Sequence, residues 1–230
     1  MPTAIVTGAN SGIGHAFAHI LIREGWEVHA CDLQIGEKLQ SLTAARLHRL
    51  DVRAPESISS FAEQLSGKPV DVLLNVAGVE APVQQDTLET VNMAVLRQTF
   101  EVNTFGPLLL TQAVLPNIFA SQAQPPRIGI VSSRVGSIAD NTTSTRYAYR
   151  SSKAAVNSIG KSMSCDLKDR GVVVSLLHPG ITRTNLLSDM NIPGAVEPEE
   201  AASKLWKVFM SKGLEETGMF WHRDGFEFPW

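Results

Sequence analysis

Five short apolar runs, rich in β-branched residues, alternate along the 230-residue chain with longer segments of helical period. The runs span residues 4–6, 28–31, 70–75, 128–132 and 172–177, and the helical segments begin near Gly12, Pro55, Leu88, Ser151 and Glu197. A buried parallel strand is a nearly continuous apolar run, and strand–helix alternation places helices on both faces of such a sheet. The pattern predicts a single doubly wound α/β domain over residues 1–230, with a mostly parallel sheet of about seven strands.

Charge and composition argue against several classes of function. The net charge of −3, with basic residues scattered along the chain, gives no electrostatic basis for binding nucleic acid or an anionic membrane. No apolar stretch is long enough to span a bilayer, and no signal peptide precedes the first strand. Cys31 and Cys165 lack metal-ligand spacing, as expected of reduced thiols. These features predict a cytoplasmic protein.

A histidine pair on the first helical segment is the nearest approach to a metal site. His15 and His19 have a spacing of four residues, which can bind a metal ion, but no third ligand is in view. Helix-surface or packing roles are therefore favoured, and no metal site is predicted.

A glycine-rich turn joins the first strand to the first helix. Glycines allow the backbone to approach a pyrophosphate closely, and the helix N-terminus supplies free N–H groups. The glycine spacing is wider than the usual Gly-x-Gly-x-x-Gly, and a plain strand-to-helix turn is the structural alternative. The position of the turn favours a cofactor site formed by Gly8, Asn10, Ser11, Gly12, Ile13 and Gly14.

Asp32 ends the second strand, where a carboxylate accepts hydrogen bonds from the adenosine ribose of a dinucleotide. A 2′-phosphate at this position would meet a like charge and lose affinity. Asp32 therefore favours NAD(H), and NADP(H) is the alternative cofactor. The structural alternative is that Asp32 is simply a solvated acid at the end of a strand.

Two further segments follow strands and are placed in the cofactor site. A further strand is expected between the apolar runs 28–31 and 70–75, which makes it the third strand and 70–75 the fourth. Asp51 and Val52 follow this third strand and are predicted to cap the adenine pocket. Asn75, Ala77 and Gly78 end the fourth strand. The small Ala77–Gly78 step lets a cofactor lie against the backbone, whereas the favoured role of Asn75 is to tie strands together.

Tyr149 and Lys153 lie four residues apart, on one face of a helix. An ammonium beside a tyrosine stabilises the phenolate and is expected to lower its pKa from about 10, as a proton donor to a substrate oxygen requires. Ser133 ends an apolar run upstream and could hydrogen-bond the same oxygen. The nearby Tyr147 does not fit the Tyr-x-x-x-Lys pattern, because the residue four positions beyond it is Ser151.

Taken together, these motifs resemble the short-chain dehydrogenase/reductase family. The motifs are Thr-Gly-x-x-x-Gly-x-Gly, Asn-x-Ala-Gly, Asn103, Ser133, Tyr149-x-x-x-Lys153 and His178-Pro-Gly180, and residues 134–141, 147–153 and 224–230 resemble its C-factor/sniffer carbonyl-reductase subgroup. The resemblance implies a Rossmann-type fold and an NAD(P)-dependent oxidoreductase acting on a small-molecule carbonyl/alcohol substrate. It also implies a homodimer or higher homo-oligomer, paired through residues 88–120 and the helix after Tyr149.

The same resemblance implies individual roles. Tyr149 would be the general acid/base, Ser133 would orient the substrate oxygen, and Lys153 would bind the nicotinamide ribose. Asn103 would kink its helix and hold a water that links Lys153 to solvent.

The segment after the sixth strand turns across the expected nicotinamide position. Pro179 and Gly180 fix the turn, and the Ile181 backbone and Thr182 hydroxyl are predicted to hold the cofactor. A packing role is favoured for His178. Residues 184–196 lack clear periodicity and are predicted to be a short substrate lid.

Two other classes of function remain open at this point. One is a signalling or regulatory protein that binds NAD(P) with little turnover. The other is a redox-neutral epimerase or dehydratase that uses the same groups. The combination of Ser133, Tyr149 and Lys153 argues against a binding module, because binding alone does not require the first two.

Overall fold

The computed structural model describes residues 1–123, 125–184 and 193–230, over which the chain forms seven strands and seven α-helices. The strands are β1 (Thr3–Thr7), β2 (Glu27–Asp32), β3 (Arg46–Arg49), β4 (Val72–Asn75), β5 (Arg127–Val131), β6 (Val173–His178) and β7 (Met219–His222). The helices are α1 (Gly12–Arg23), α2 (Glu37–Gln40), α3 (Pro55–Gln64), α4 (Met93–Phe100), α5 (Gly106–Phe119), α6 (Tyr147–Lys168) and α7 (Pro198–Ser211).

The strands form one sheet in the order β3-β2-β1-β4-β5-β6-β7, and every neighbouring pair is parallel. The predicted Rossmann-type doubly wound sheet of about seven strands is confirmed. The chain builds outward from β1 through β2 to β3, and then returns to the other side of β1 with β4. In such sheets a crevice opens at the carboxyl ends of the strands, where the strand order reverses.

Alternate side chains of β1 enter two cores, one on each face of the sheet. Val6 packs in a cluster with Phe17 of α1 and Phe209 of α7, and all three are fully buried. Ile5, the preceding residue, packs in a second cluster with Phe61 of α3. Successive strand residues point to opposite faces, so helices cover both sides and only the sheet's ends are open to a ligand.

The helix predicted from near Leu88 begins five residues later, at Met93. The side chain of Asn92 accepts hydrogen bonds from the next backbone N–H groups, at 3.0 and 3.2 Å, and so fixes the start of α4. A π-helical segment, Glu101–Phe105, joins α4 to α5. The predicted lid over 184–196 falls mostly on residues 185–192, which lie outside the described part of the chain.

Candidate active site

A cavity of about 890 Å³ lies at the carboxyl ends of the strands and extends from the α1 N-terminus to α6. Ser133, Tyr149 and Lys153 line it. The predicted cofactor residues that line it are Gly8, Ser11, Gly12, Ile13, Gly14, Asp32, Asp51, Val52, Ala77, Gly78, Pro179, Gly180, Ile181 and Thr182. The fold thus brings together segments from seven regions of the sequence. Asn10, Asn75 and Asn103 lie outside the lining.

The glycine turn brings two backbone segments into close contact. A Cβ on Gly14 would lie 2.2 Å from the Gly8 carbonyl oxygen, and Gly8 and Gly12 have φ values of +68° and +52°. Ser11, at the N-cap of α1, makes no side-chain capping hydrogen bond. The first-turn N–H groups of α1 therefore face the cavity without a side-chain cap, an arrangement that suits an anion.

Asn10 contacts the expected ribose site indirectly. Its backbone N–H donates to Oδ2 of Asp32 at 3.0 Å, and its own Oδ1 accepts from the Leu39 N–H at 2.9 Å. The Gln34 N–H donates to the other Asp32 oxygen at 3.3 Å. Asn10 thus ties α2 to the glycine turn and orients the Asp32 carboxylate, and its contact with the cofactor stays a prediction.

Asn75 is buried at the end of β4, and its Nδ2 donates to the Thr111 hydroxyl at 3.4 Å. This contact agrees with the structural role favoured for Asn75, and its contact with the cofactor stays a prediction. The neighbouring backbone is held by Thr7, whose hydroxyl accepts from the N–H groups of Val76 and Ala77 at 2.9 and 3.0 Å. The sequence reasoning did not single out Thr7.

Helix α6 begins at Tyr147, four residues before the predicted start, and Tyr149 lies in its first turn. The buried carboxylate of Asp86 accepts hydrogen bonds from the Ala148 and Tyr149 N–H groups, at 2.8 and 3.2 Å. This cap satisfies two of the four N–H groups that a helix start leaves unpaired. Because Asp86 lies more than 60 residues upstream, no local motif signals it.

The catalytic candidates lie together at this helix start, with Tyr149 and Lys153 buried and Ser133 half-buried. The Ser133 side chain lies within hydrogen-bonding reach of Tyr149, and its hydroxyl accepts from the Val135 N–H at 3.4 Å. Nζ of Lys153 donates to the Val131 carbonyl at 2.9 Å and lies 5.8 Å from the centroid of the Tyr149 ring. The three side chains that the sequence assigned to chemistry therefore share one wall of the cavity.

The expectation that Lys153 lowers the pKa of Tyr149 is wrong for this structure. Burial raises the pKa of Tyr149 to about 12, and the negative charge of Glu80 adds to the increase. Arg146 and the hydrogen bond from Ser133 oppose it. Burial also lowers the pKa of Lys153, to about 8. Desolvation of both groups outweighs the attraction that was expected between them.

Glu80 and Arg146 form a bidentate ion pair beside Tyr149. The Glu80 side chain is 7% exposed, and the Arg146 guanidinium carbon lies 5.3 Å from the Tyr149 ring centroid. Arg146 has a left-handed φ of +61°. Sequence analysis missed this pair because its members lie 66 residues apart and belong to no recognised motif.

Asn103 lies in the π-helical segment, behind the catalytic wall. Its Oδ1 accepts from the Val79 N–H at 2.8 Å, and its Nδ2 donates to the Val79 carbonyl and the Ser152 hydroxyl at 2.9 and 3.1 Å. A Cβ on Gly78 would lie 3.4 Å from Oδ1 of Asn103 and 3.7 Å from Nζ of Lys153. Gly78 therefore lies next to both groups, which are themselves buried.

The turn after β6 is fixed from two sides. Nδ1 of His178 accepts from the Arg134 and Gly180 N–H groups, at 3.2 and 3.4 Å, and burial lowers the pKa of His178 to about 3. Nη1 of Arg223 donates to the Pro179 and Ile181 carbonyls at 2.8 and 3.2 Å. His178 is thus a neutral packing residue, as favoured above, and Arg223 is a contact that sequence analysis missed.

His15 and His19 lie side by side on α1. Nε2 atoms of His15 and His19 lie 3.1 Å apart, and no set of three metal-ligating side chains occurs among the residues that the structure describes. Nor does any helix within the described ranges have the length and hydropathy needed to cross a bilayer.

Comparisons with known proteins agree with the fold and the cavity. The short chain dehydrogenase family model matches residues 2–193. A 1-hydroxy-2-glutathionyl-2-methyl-3-butene dehydrogenase of Rhodococcus sp. strain AD45 is 37% identical, over the full length of both chains. The C-signal protein of Myxococcus xanthus is 40% identical and covers 74% of this chain and 99% of its own.

One solved structure gives the cofactor context. An NADPH-bound carbonyl reductase from chicken fatty liver superposes with a TM-score of 0.91 at 28% identity, and covers 100% of this chain and 99% of its own. The resemblance drawn from the motifs, to carbonyl reductases and to C-factor-like proteins, is confirmed.

Proposed function

The chain belongs to the short-chain dehydrogenase family and is a nicotinamide-dependent oxidoreductase of a small-molecule substrate. Within this activity we propose that it interconverts a carbonyl and an alcohol, with Tyr149 as the general acid/base. The observation that carries the proposal is the group of Ser133, Tyr149 and Lys153, which lies on one wall of a cavity that the glycine turn also lines.

The cofactor site fits a dinucleotide. Gly8 and Gly14 form a cradle that a Cβ would fill, next to the uncapped first turn of α1. This end suits a pyrophosphate, and the Ala77–Gly78 step and the turn at Pro179 and Gly180 lie on the path to Tyr149. Lys153, which lines the same cavity, would bind the nicotinamide ribose. Bound there, the cofactor supplies or accepts the hydride.

The substrate oxygen is stabilised and protonated by the chain's own groups. In the reducing direction negative charge grows on the carbonyl oxygen, where the hydroxyls of Ser133 and Tyr149 both donate. Tyr149 then transfers its proton to that oxygen. With its pKa raised to about 12, Tyr149 is a weaker acid than a free tyrosine, but it carries the proton at neutral pH, and the alkoxide formed on the substrate is a base strong enough to take it. Lys153 stabilises the phenolate that remains.

Asp32 supports NAD(H) as the preferred cofactor. Two backbone N–H groups fix its carboxylate at the end of β2, facing the cavity. A ribose diol donates to a carboxylate, whereas a 2′-phosphate is repelled by it. The nearby Arg53 is occupied by Asp51, at 2.7 Å, and so offers the phosphate no uncommitted cation.

The remaining assignments are also part of the proposal. Residues 1–230 act as one cytoplasmic domain, and the assignment of 184–196 as a substrate lid stays a prediction from the sequence. Met93 and Phe105 are 60% and 48% exposed on the α4–α5 segment, which supports a homodimer through that face.

The test is to measure NADH and NADPH binding and carbonyl-dependent oxidation of each, for the wild type, Asp32→Ala and Tyr149→Phe. We expect tighter NADH binding by the wild type and loss of that preference in Asp32→Ala. Tyr149→Phe is expected to bind NADH normally while its turnover falls by ~10²–10⁴.

Each result separates the alternatives. An NADPH preference in the wild type would refute the role of Asp32 but leave the enzyme class standing. Normal binding with turnover unaffected by Tyr149→Phe would refute the assignment of Tyr149. Binding without any carbonyl or alcohol turnover would favour a regulatory protein, the class to which the C-signal relationship points.

A further inference from the structure

The charged side chains that line the cavity are mostly paired. Arg53 is held by Asp51, and two more arginines near the chemical end, Arg134 and Arg146, form ion pairs with carboxylates of their own. The partners of these two are Asp140 and Glu80. Two cations remain without a carboxylate partner among the described residues, Lys153 and Arg150. The first belongs to the catalytic group, so the second requires a separate explanation.

Arg150 follows Tyr149 directly on α6 and lines the cavity. Its Nε donates to the Thr145 carbonyl at 3.1 Å, and its Nη2 donates to the Thr143 hydroxyl. Nη1 has no hydrogen-bond partner in the part of the chain that the structure describes. The guanidinium is thus oriented by the loop in front of α6 and retains donor capacity for a ligand.

The loop that holds Arg150 is a rim of hydroxyls. Residues 142–145 are Thr-Thr-Ser-Thr, and all four line the cavity. Thr145 and Arg146 have consecutive left-handed φ values of +67° and +61°, which are uncommon for residues with a Cβ. The backbone turns sharply here and places the polar rim beside the entrance to Tyr149. A wall of hydroxyls and one guanidinium suits a polar anion better than an apolar group.

Local electrostatics point the same way. Arg134 and Arg146 each have a carboxylate partner, whereas Arg150 has none among the described residues. Burial and the charge of Arg146 both lower the pKa of Arg150. A bound anion would offset both effects, and a guanidinium presents paired donors that match a carboxylate.

We propose that Arg150 and the hydroxyls of residues 142–145 form an anion subsite, and that the substrate is a carbonyl compound that carries a carboxylate. The carboxylate binds at Arg150 while the carbonyl oxygen meets Ser133 and Tyr149. This inference rests on the proposed function, because it names the substrate class of the same site.

The test uses 4-carboxybenzaldehyde and its methyl ester, which share the aldehyde and differ in the charge at the far end. Each is titrated by calorimetry into the complex of the protein with NAD⁺, in which no hydride is available for turnover. The proteins are the wild type, Arg150→Gln and Arg170→Gln. Arg170 follows the far end of α6, stacks on Phe119 and lies away from the cavity, so it is a matched control.

We expect the wild type and Arg170→Gln to bind the acid about 10- to 100-fold more tightly than the ester, as a charge-assisted hydrogen bond predicts. In Arg150→Gln this ratio is expected to fall close to one. Equal binding of acid and ester by the wild type, undetectable binding of both, or discrimination that survives in Arg150→Gln would overturn the proposal. So would a loss of NAD⁺ affinity in Arg150→Gln with an unchanged ratio, because Arg150 would then serve the cofactor.

Turnover of the same aldehydes with NADH tests the proposed function separately. Discrimination in binding without NADH oxidation would refute the carbonyl reductase assignment and leave the subsite standing. NADH oxidation with no preference for the acid would refute the subsite and leave the carbonyl reductase assignment standing.

Discussion

The ammonium of Lys153 is buried and donates to a single described acceptor, the Val131 carbonyl. Burial lowers its pKa from 10.5 to about 8, so keeping it charged at neutral pH opposes folding by about 3 kcal/mol. A group needed only for structure would not be held in this environment. Residues at functional sites are often retained although they lower the stability of the fold. The buried charge of Lys153 is an example.

Replacing this lysine should therefore stabilise the fold while abolishing activity. We expect Lys153→Met to raise the free energy of unfolding by about 1–3 kcal/mol near neutral pH. Because the pKa of Lys153 is lower in the folded state than in the unfolded state, the gain should shrink as the pH rises from about 8 towards 10.5. Above that pH the Lys153 side chain of the wild type is neutral in both states, so its charge no longer opposes folding. Urea unfolding of the cofactor-free protein measures it.

Lys161→Met is the control, because Lys161 is an exposed residue on the same helix. This variant should leave stability within about 0.5 kcal/mol of the wild type. A Lys153→Met protein less stable than the wild type near neutral pH would show that the hydrogen bond to Val131 outweighs the desolvation of the charge.

At this scale the sequence located the residues that we propose to carry the chemistry, but not the neighbours that shift their pKa values. Tyr149 and Lys153 have a fixed helical spacing, which can be seen in the chain. Glu80 and Asp86 act on Tyr149 across more than 60 residues, and only the folded structure brings them to the start of α6. The direction of the Tyr149 pKa shift could not be predicted, because it depends on burial and on those unseen neighbours.

The turn after β6 is an element whose position depends on β7. Gly180 has a φ of +68°, and a Cβ there would lie 2.7 Å from the Arg223 guanidinium. That guanidinium binds the carbonyls of Pro179 and Ile181, and so fixes the turn in front of the proposed nicotinamide position. Arg223 acts on the cofactor through this turn and is a positioning residue.

Arg223→Met should weaken NADH binding about tenfold and change kcat much less, since two hydrogen bonds to the turn are lost while Ser133 and Tyr149 stay in place. Fluorescence titration of NADH and steady-state kinetics measure the two effects. Arg183→Met is the matched control, because Arg183 lies next to the same turn but pairs with Glu197. Equal affinities in all three proteins would count against the role of Arg223.

For the whole molecule, the alternation of apolar runs was enough to predict the parallel sheet. Five of the seven strands were located to within about two residues, because a buried strand must be a continuous apolar run. β3 is short and largely polar, and its edge position leaves it without that signal. The exact starts of α4 and α6 depend on capping side chains outside the helices, so periodicity alone could not give them.

Two buried histidines make the free energy of unfolding of the whole molecule depend on pH. Burial lowers the pKa of His29 to about 4 and that of His178 to about 3. Both are neutral in the folded state, whereas the unfolded chain takes up protons below about 6.5. The stabilisation is complete above that value and is lost as the pH falls towards the folded-state pKa values.

The free energy of unfolding, measured with urea, should therefore fall by about 3–4 kcal/mol between about pH 7 and about pH 5 because of these two residues. His29→Gln should remove roughly half of that loss. His19→Gln, at an exposed position of α1, should leave the slope unchanged. A wild-type stability that stays flat over this range would mean that His29 and His178 are protonated in the folded state. The backbone N–H groups that donate to Nδ1 of His178 would then have to find other acceptors, and the turn at Gly180 would be expected to move with them.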